Sequence, residues 1–337
     1  MTRHVTQPLR SLGSMRVLIL GGTGFLGYHT TLTALGQGHE VWLFNRGVTR
    51  SEAFPEVPRL IGDRRAGDLD ALDDAPAFDA VIDCTGYLPS EVRDAATRLG
   101  DRTGRYLFVS SVSVYAFPVP AGADEDAPLA SLPQGLDATE VTGATYGPLK
   151  AACEQTLAET LGDRATIVRP GLIAGPEDPT DRFTYWVRRG LEGGRLLAPG
   201  SPTRLVQLVD ARDVATFMLT LATEDASGTF NVVGEPIPFA ELLEMTTETG
   251  EFVWVDDERL REAGLAPWSD LPLWIPAPDG ETALTISNAR AKAAGLQLIP
   301  LEQTIQDVAA WDLVRQQPPL KAGISRERQD ELVERFG

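Results

Sequence analysis

Apolar and polar positions along this chain follow two alternating rhythms. Short unbroken apolar runs recur at Val17-Leu18-Ile19-Leu20, Val41-Trp42-Leu43-Phe44, Arg59-Leu60-Ile61, Ala80-Val81-Ile82-Asp83, Tyr106-Leu107-Phe108-Val109 and Ala165-Thr166-Ile167-Val168. Longer stretches of helical spacing lie between them. A strand covered on both faces shows a continuous apolar run, and parallel neighbours need a crossover, usually a helix. The pattern predicts βαβ units, and so an α/β fold built on a Rossmann-type doubly wound parallel sheet. Ligands of such sheets bind beyond the carboxyl ends of the strands.

The rhythm changes at Pro176. Residues 176–202 carry Arg182, Tyr185, Trp186, Arg188, Arg189 and Arg195 at mixed spacing, and Pro236, Pro267, Pro272, Pro276 and Pro278 interrupt the remainder of the chain. One more strand is expected at Thr229-Phe230-Asn231-Val232-Val233, with helices from Asn288 to Ala294 and from Leu301 to Leu313. The chain is therefore expected to divide into three parts. Residues 1–14 form a flexible N-terminal extension, and 15–175 a Rossmann domain. Residues 176–337 form mainly a smaller substrate-binding lobe, with segments returning to the sheet. The extension has arginines, serines and no acid, but lacks the apolar core of a secretory signal, and Met15 is an alternative start.

Charge and composition narrow the partners. The formal net charge of −18 over 337 residues opposes general affinity for nucleic acid or an anionic membrane. No apolar run reaches the ~18 residues that span a bilayer. Cys84 and Cys153, like His4, His29 and His39, lack metal-like spacing, so no metal is expected. Two such cysteines fit a reducing, cytoplasmic setting.

The candidate chemistry gathers at predicted strand ends. Gly21-Gly22-Thr23-Gly24-Phe25-Leu26-Gly27 succeeds the first strand. Gly21 would make a tight turn, Gly24 would admit a pyrophosphate, and Gly27 would let the next helix pack closely, with phosphates on the helix-start N–H groups. The second strand ends in Asn45-Arg46-Gly47, with Arg50 nearby, where an acid would bind the ribose 2′-OH of NAD. A neutral residue beside guanidinium groups favours NADP(H) over NAD(H). Asp63, after the third strand, is placed to accept an adenine amino group. Tyr146 and Lys150 lie four apart, on one helical face, and Pro148 between them requires the first turn of that helix. The ammonium would lower the phenol's pKa, and Ser111 would hold a substrate oxygen. In the lobe, aromatic residues beside arginines suit an anionic or polar ring. Asp213 is expected to cap or orient a helix.

These motifs, in this order, resemble the extended short-chain dehydrogenase/reductase superfamily, the NAD-dependent epimerase/dehydratase group. The resemblance rests on Gly21 to Gly27, Ser110 to Tyr115, and Tyr146 with Lys150, supported by Arg169-Pro170-Gly171-Leu172-Ile173-Ala174-Gly175-Pro176. It implies Ser111, Tyr146 and Lys150 as catalytic residues, with Lys150 also on the nicotinamide ribose, and a homodimer. With the residue reading, the expected cofactor set is Gly21, Thr23, Gly24, Phe25, Leu26, Gly27, Asn45, Arg46, Arg50, Asp63, Thr85, Gly86, Tyr146, Lys150, Pro170 and Leu172. Substrate contacts are expected at Ser113, Arg182, Tyr185 and Arg204. Sugar-nucleotide members usually carry Arg-x-x-Asn-x-Tyr-Gly-Pro where this chain has Arg169 to Pro176. The segment looks more like reductase-type members and a branch related to the chloroplast stem-loop-binding proteins. The expected function is hydride transfer at a carbonyl or hydroxyl of a small polar metabolite, by an oxidoreductase, epimerase or dehydratase. Two alternatives remain. One is an RNA-binding protein on a retained dehydrogenase fold, with a basic patch at Arg182, Arg188, Arg189 and Arg195. The other is a cofactor-sensing regulator with little turnover.

Overall fold

The computed structural model describes residues 13–132 and 139–337, so the first twelve residues of the expected extension, with His4, lie outside the described residues. Seven parallel strands form the main sheet: β1 (Arg16–Leu20), β2 (Glu40–Asn45), β3 (Arg59–Ile61), β4 (Phe78–Asp83), β5 (Thr103–Val109), β6 (Ala165–Pro170) and β11 (Gly228–Val232). Their order is β11-β6-β5-β4-β1-β2-β3. The chain moves outward from β1 to β3, then crosses back to β4 on the other side of β1. A crevice opens at that reversal, beyond the strand ends.

The unbroken apolar runs reflect two covered faces. Val17 and Ile19 of β1 face one core, with α1 (Phe25–Gly36) and α5 (Ala211–Thr223). Leu18 and Leu20 face another, with α2 (Pro89–Leu99) and α3 (Tyr146–Leu161). Successive side chains point to opposite faces, so a strand buried on both has no polar position.

A third core belongs to the second half of the chain. It joins α4 (Arg182–Glu192), β8 (Gly194–Pro199), α6 (Phe239–Glu244), β13 (Gly250–Val255), α7 (Asp257–Glu262), α9 (Leu301–Val314) and α10 (Arg326–Phe336). β8 pairs with β13 in parallel. Two short ladders lie beside it: β7 (Leu172–Ala174) with β10 (Leu208–Asp210), and β9 (Leu205–Val206) with β12 (Ile237–Pro238). The short α8 (Ala289–Ala293) precedes α9. On α4, Phe183, Trp186 and Val187 fall at helical spacing opposite Arg188 and Arg189, yet Phe183 to Gly190 are all buried. Arg188 and Arg189 are buried on the polar side because each is in an ion pair. Among the described residues no helix is long and apolar enough to cross a membrane.

Candidate active site

β1 delivers the chain to Gly21, whose positive φ of 82° turns it back toward α1. The Gly24 N–H donates to the Gly21 carbonyl at 2.9 Å, and α1 begins at Phe25 with no side-chain cap. Its first N–H groups are therefore open to an anion. A Cβ on Gly27 would lie 2.2 Å from the Gly21 oxygen, so helix and turn meet backbone to backbone. Beyond the strand ends opens a cavity of ≈ 330 Å³. Gly21, Thr23, Gly24, Asn45, Arg46, Asp63 and Thr85 line it together. Asn45 accepts from the Gly47 N–H at 2.9 Å, and Asp63 accepts from the Arg65 N–H at 3.1 Å. Arg46 is exposed at the rim.

Arg50 lies elsewhere. Its guanidinium donates to the Thr23 carbonyl (3.1 Å) and the Glu177 carboxylate (2.8 Å), 4.9 Å from the Tyr28 ring. It ties the glycine loop to the segment entering the lobe, and the acid beside it corrects its expected role toward a phosphate. A buried group that the sequence reading missed supports the cavity floor. Arg64 donates to Asp83 (2.7 Å) and to the Glu91 carbonyl (2.8 Å), while the Tyr106 hydroxyl and the Thr85 N–H also donate to Asp83. Burial pushes the Asp83 carboxyl up, but Arg64 and these hydrogen bonds outweigh it and hold the group below its ordinary value. The signal was Asp83 itself, because a charge ending a buried strand needs a partner.

β5 leads to Ser111, whose hydroxyl accepts from the Ser113 N–H at 3.1 Å and fixes a short turn. A Cβ on Gly147 would sit 2.0 Å from the Ser113 carbonyl oxygen. This close approach sets the first residue of α3, Tyr146, near Ser111, whose hydroxyl acts on the phenol. Ser113 itself is exposed. One turn along, Lys150 is buried and donates to the Gly86 (2.7 Å) and Val109 (2.6 Å) carbonyls, 4.0 Å from the Phe108 ring centroid. Burial lowers its pKa to about 8. Lys150 therefore joins the ends of β4 and β5. Burial raises the Tyr146 phenol above its ordinary value, against the lowering expected, and outweighs the Ser111 hydroxyl and the Arg182 guanidinium, which pull it down. Pro170 is buried at the end of β6 and Leu172 half-buried at the start of β7.

The lobe residues separate. Tyr185 is fully buried, 4.9 Å from Trp186 and 5.3 Å from the Arg189 guanidinium, within the third core. Arg204 is paired with Asp257 at 2.7 Å and with the Ile275 carbonyl at 3.0 Å. Both expected substrate contacts are corrected: one side chain is enclosed by packing, the other neutralised. Arg188 makes a two-point pair with Asp312, and Arg189 pairs with Glu192. Both are buried, so they form no surface basic patch. Asp210 caps α5, while Asp213 accepts from the Ile299 N–H at 3.0 Å and orients the chain entering α9. Burial pushes the Asp213 carboxyl up to about 6.

Residues 17–233 match the NAD dependent epimerase/dehydratase family. The chain belongs to that family. Within it, the chain is 28% identical over 274 residues to the chloroplast stem-loop binding protein of 41 kDa b of Arabidopsis thaliana, covering 74% of this chain and 68% of that protein. Its fold is similar to that of the Bordetella bronchiseptica enzyme WbmG in complex with NAD (TM-score 0.65, 20% identity, covering 92% and 96% of the two chains). It is also similar to the Thermus thermophilus UDP-glucose 4-epimerase complex with NAD (TM-score 0.60, 23% identity, 88% and 99%).

The residues of this family member fit a nicotinamide dinucleotide. The helix-start N–H groups lack a side-chain cap. Two of the three Lys150 N–H groups meet carbonyls, and the third has no acceptor among the described residues. A ribose hydroxyl would supply one. Among the described residues no group of three or more His, Cys, Asp or Glu could hold a metal.

Proposed function

We propose that the protein moves a hydride between a nicotinamide cofactor and a carbonyl or hydroxyl carbon of a small polar metabolite, with Tyr146 as general acid/base. The observation that carries this is the start of α3, where half-buried Tyr146 stands near Ser111 and Lys150, one turn along, fastens the neighbouring strand ends. When bound, the cofactor supplies or accepts the hydride at its nicotinamide ring. Tyr146 gives its phenolic proton to the substrate oxygen in reduction and takes it back in oxidation. Ser111 donates a hydrogen bond to that oxygen and fixes it against the phenol. The Lys150 ammonium orients a ribose through its third N–H. We further propose that the 2′-phosphorylated cofactor is preferred, since Asn45 puts no acid beside the ribose and Arg46 is exposed with no ion pair among the described residues.

The test is Tyr146→Phe on a panel of carbonyl compounds, with NADPH oxidation as the readout. The ring and its packing remain, but the transferable proton is gone. Turnover should fall about a hundredfold or more, with dinucleotide affinity nearly unchanged. Near-wild-type turnover of any active compound overturns the assignment.

The likeness to a stem-loop binding protein favours one second reading, binding of structured RNA. The buried pairs of Arg188 and Arg189 oppose it, as does the net charge. Titration of a labelled stem-loop at near-physiological salt separates the two. Tight binding with a steep salt slope would bring the RNA reading forward.

A further inference from the structure

We propose that Arg182 anchors an anionic group, carboxylate or phosphate, that the substrate carries beside its reacting carbon. The proposal rests on Tyr146 marking where the reacting oxygen sits.

The chain treats its other arginines differently. Among the described residues, every other buried or half-buried guanidinium donates to a carboxylate or a backbone carbonyl. On the same helix, Arg188 meets Asp312 and Arg189 meets Glu192. Even half-buried Arg59 and Arg164 reach main-chain oxygens. Arg182 has no hydrogen bond and no ion pair from its guanidinium among the described residues. Acids are not scarce, since the chain has 48 Asp and Glu against 30 Lys and Arg. Two of them stand within four residues of it, and neither takes a hydrogen bond or ion pair from it, although its charge acts on Asp178 as on Tyr146. Asp178 accepts from the Thr180 N–H and hydroxyl, both at 2.8 Å. Asp181 pairs with Arg315 at 2.7 Å and accepts from the Lys321 N–H.

A partly desolvated cation without a partner is unfavourable, and five N–H donors are left unused. A ligand that brings the anion relieves this. The position suits such a ligand. Arg182 opens α4, its guanidinium carbon is 5.7 Å from the Trp268 ring, and its charge acts on the Tyr146 phenol. The indole face holds the guanidinium plane without neutralising it. A substrate with its oxygen on Tyr146 and Ser111 then meets one free cation. The fitting class is a small oxo or hydroxy acid, or a phosphate ester of a small carbonyl compound.

The experiment uses the full chain saturated with NADP, so that phosphate sites of the cofactor are filled. Calorimetric titration with malonate in one arm and inorganic phosphate in the other compares wild type, Arg182→Met, Arg182→Lys and Tyr146→Phe. Wild type should bind one of the anions saturably, in the millimolar range or tighter. Arg182→Met should weaken that binding about tenfold or more, and Arg182→Lys should restore part of it. A preference for malonate assigns a carboxylate, and a preference for phosphate assigns a phosphate ester. Arg182→Met should also melt no lower than wild type, since it breaks no pair. Tyr146→Phe should keep the anion site. Loss of the Tyr146 assignment in turnover assays would therefore leave this result readable by itself. Equal anion binding by wild type and Arg182→Met, no saturable binding of either anion, or a marked loss of stability in Arg182→Met overturns the proposal.

Discussion

The strand-end half of the site and the lobe half are built from contacts of very different reach. The turns at the strand ends close on partners near in sequence, though Lys150, Arg50 and Arg64 reach farther: Gly24 bonds Gly21, Gly47 bonds Asn45, Arg65 bonds Asp63, Ser113 bonds Ser111. In the lobe they are remote. Arg188 meets Asp312 across 124 residues, Arg204 meets Asp257 across 53, and the Trp186 indole donates to the Pro272 carbonyl across 86. A short-range contact gives a side chain its role within one turn of chain. A long-range contact can remove a role that local sequence suggests. Arginine shows the difference, because identical side chains on α4 end up as a core ion pair at Arg188 and an unpartnered cation at Arg182.

The largest expected effect tests that contrast directly. Arg188→Ala leaves Asp312 buried without its two-point partner. Breaking such a pair costs about 3–5 kcal/mol. Arg182→Met, six residues earlier, should change stability by less than about 0.5 kcal/mol, as a change that breaks no pair. Urea denaturation of the two variants reads both. Comparable losses would mean that Arg182 has a structural partner and would erase the contrast.

A smaller effect compares two glycines. Gly147→Ala places a Cβ 2.0 Å from the Ser113 oxygen, so α3 must back away from the Ser111 turn. Overpacking of this kind costs about 1–3 kcal/mol and would draw Tyr146 off Ser111, lowering turnover with it. Gly36→Ala, at the end of α1, meets nothing within 4 Å. It should gain about 0.5–1 kcal/mol from helix propensity alone. A Gly147→Ala protein as stable and active as wild type would show that the close approach does not set the tyrosine.

These cases also explain what was legible in the sequence. All six predicted sheet strands before Pro176 fall on observed strands; burial on both faces leaves a continuous apolar run in the central ones, while β3, at the edge, is only partly buried. The glycine turn was legible because backbone sterics act within a few residues. The strand expected from Thr229 to Val233 is seen from Gly228 to Val232. The burial of the α4 arginines was not legible: Phe183, Trp186 and Val187 keep helical spacing, but Arg188 is taken inside by Asp312, 124 residues away. The fates of Tyr185, Arg204 and Arg50 were closed to sequence for the same reason. Asp257, Glu177 and the third core decide them, and no spacing rule links those residues to their partners. The same holds for Arg64 and Asp83, 19 residues apart in chain and joined only by the fold.

Lys150 gives a pH signature of intermediate size. Its folded pKa of about 8 lies below the ordinary lysine value because burial disfavours the ammonium. Between pH ~8 and ~10.5 the unfolded chain holds a proton there that the folded chain has released. Stability from this group therefore rises with pH across that window, and is flat below it. Wild type should gain stability relative to Lys150→Met from pH 8 to 10, by on the order of 2–3 kcal/mol. Parallel profiles for the two proteins would place the ammonium in a wetter setting than two carbonyls and an aromatic face provide.

The smallest expected effect separates two arginines that sequence alone treats as equals. Arg46 and Arg50 both lie just beyond β2, and both were expected near a cofactor phosphate. Arg46 stands on the cavity rim with no ion pair among the described residues, whereas Arg50 already pairs with Glu177 and bonds the Thr23 carbonyl. A guanidinium in an existing pair has little attraction left for a second anion, and Glu177 would repel one. Arg46→Ala should therefore weaken NADPH binding about tenfold and leave NADH binding nearly unchanged, which is the loss of one exposed charge-assisted contact. Arg50→Ala should weaken both cofactors equally or neither, because it acts on the glycine loop and not on the 2′-position. Titrating each dinucleotide into the three proteins gives two affinity ratios to compare with wild type. If Arg50→Ala shifted the NADPH-to-NADH ratio as far as Arg46→Ala, the Glu177 pair would have to open on cofactor binding. If wild type bound both cofactors alike, the proposed preference for the phosphorylated form would fall, and Arg46 would be a solvated loop residue.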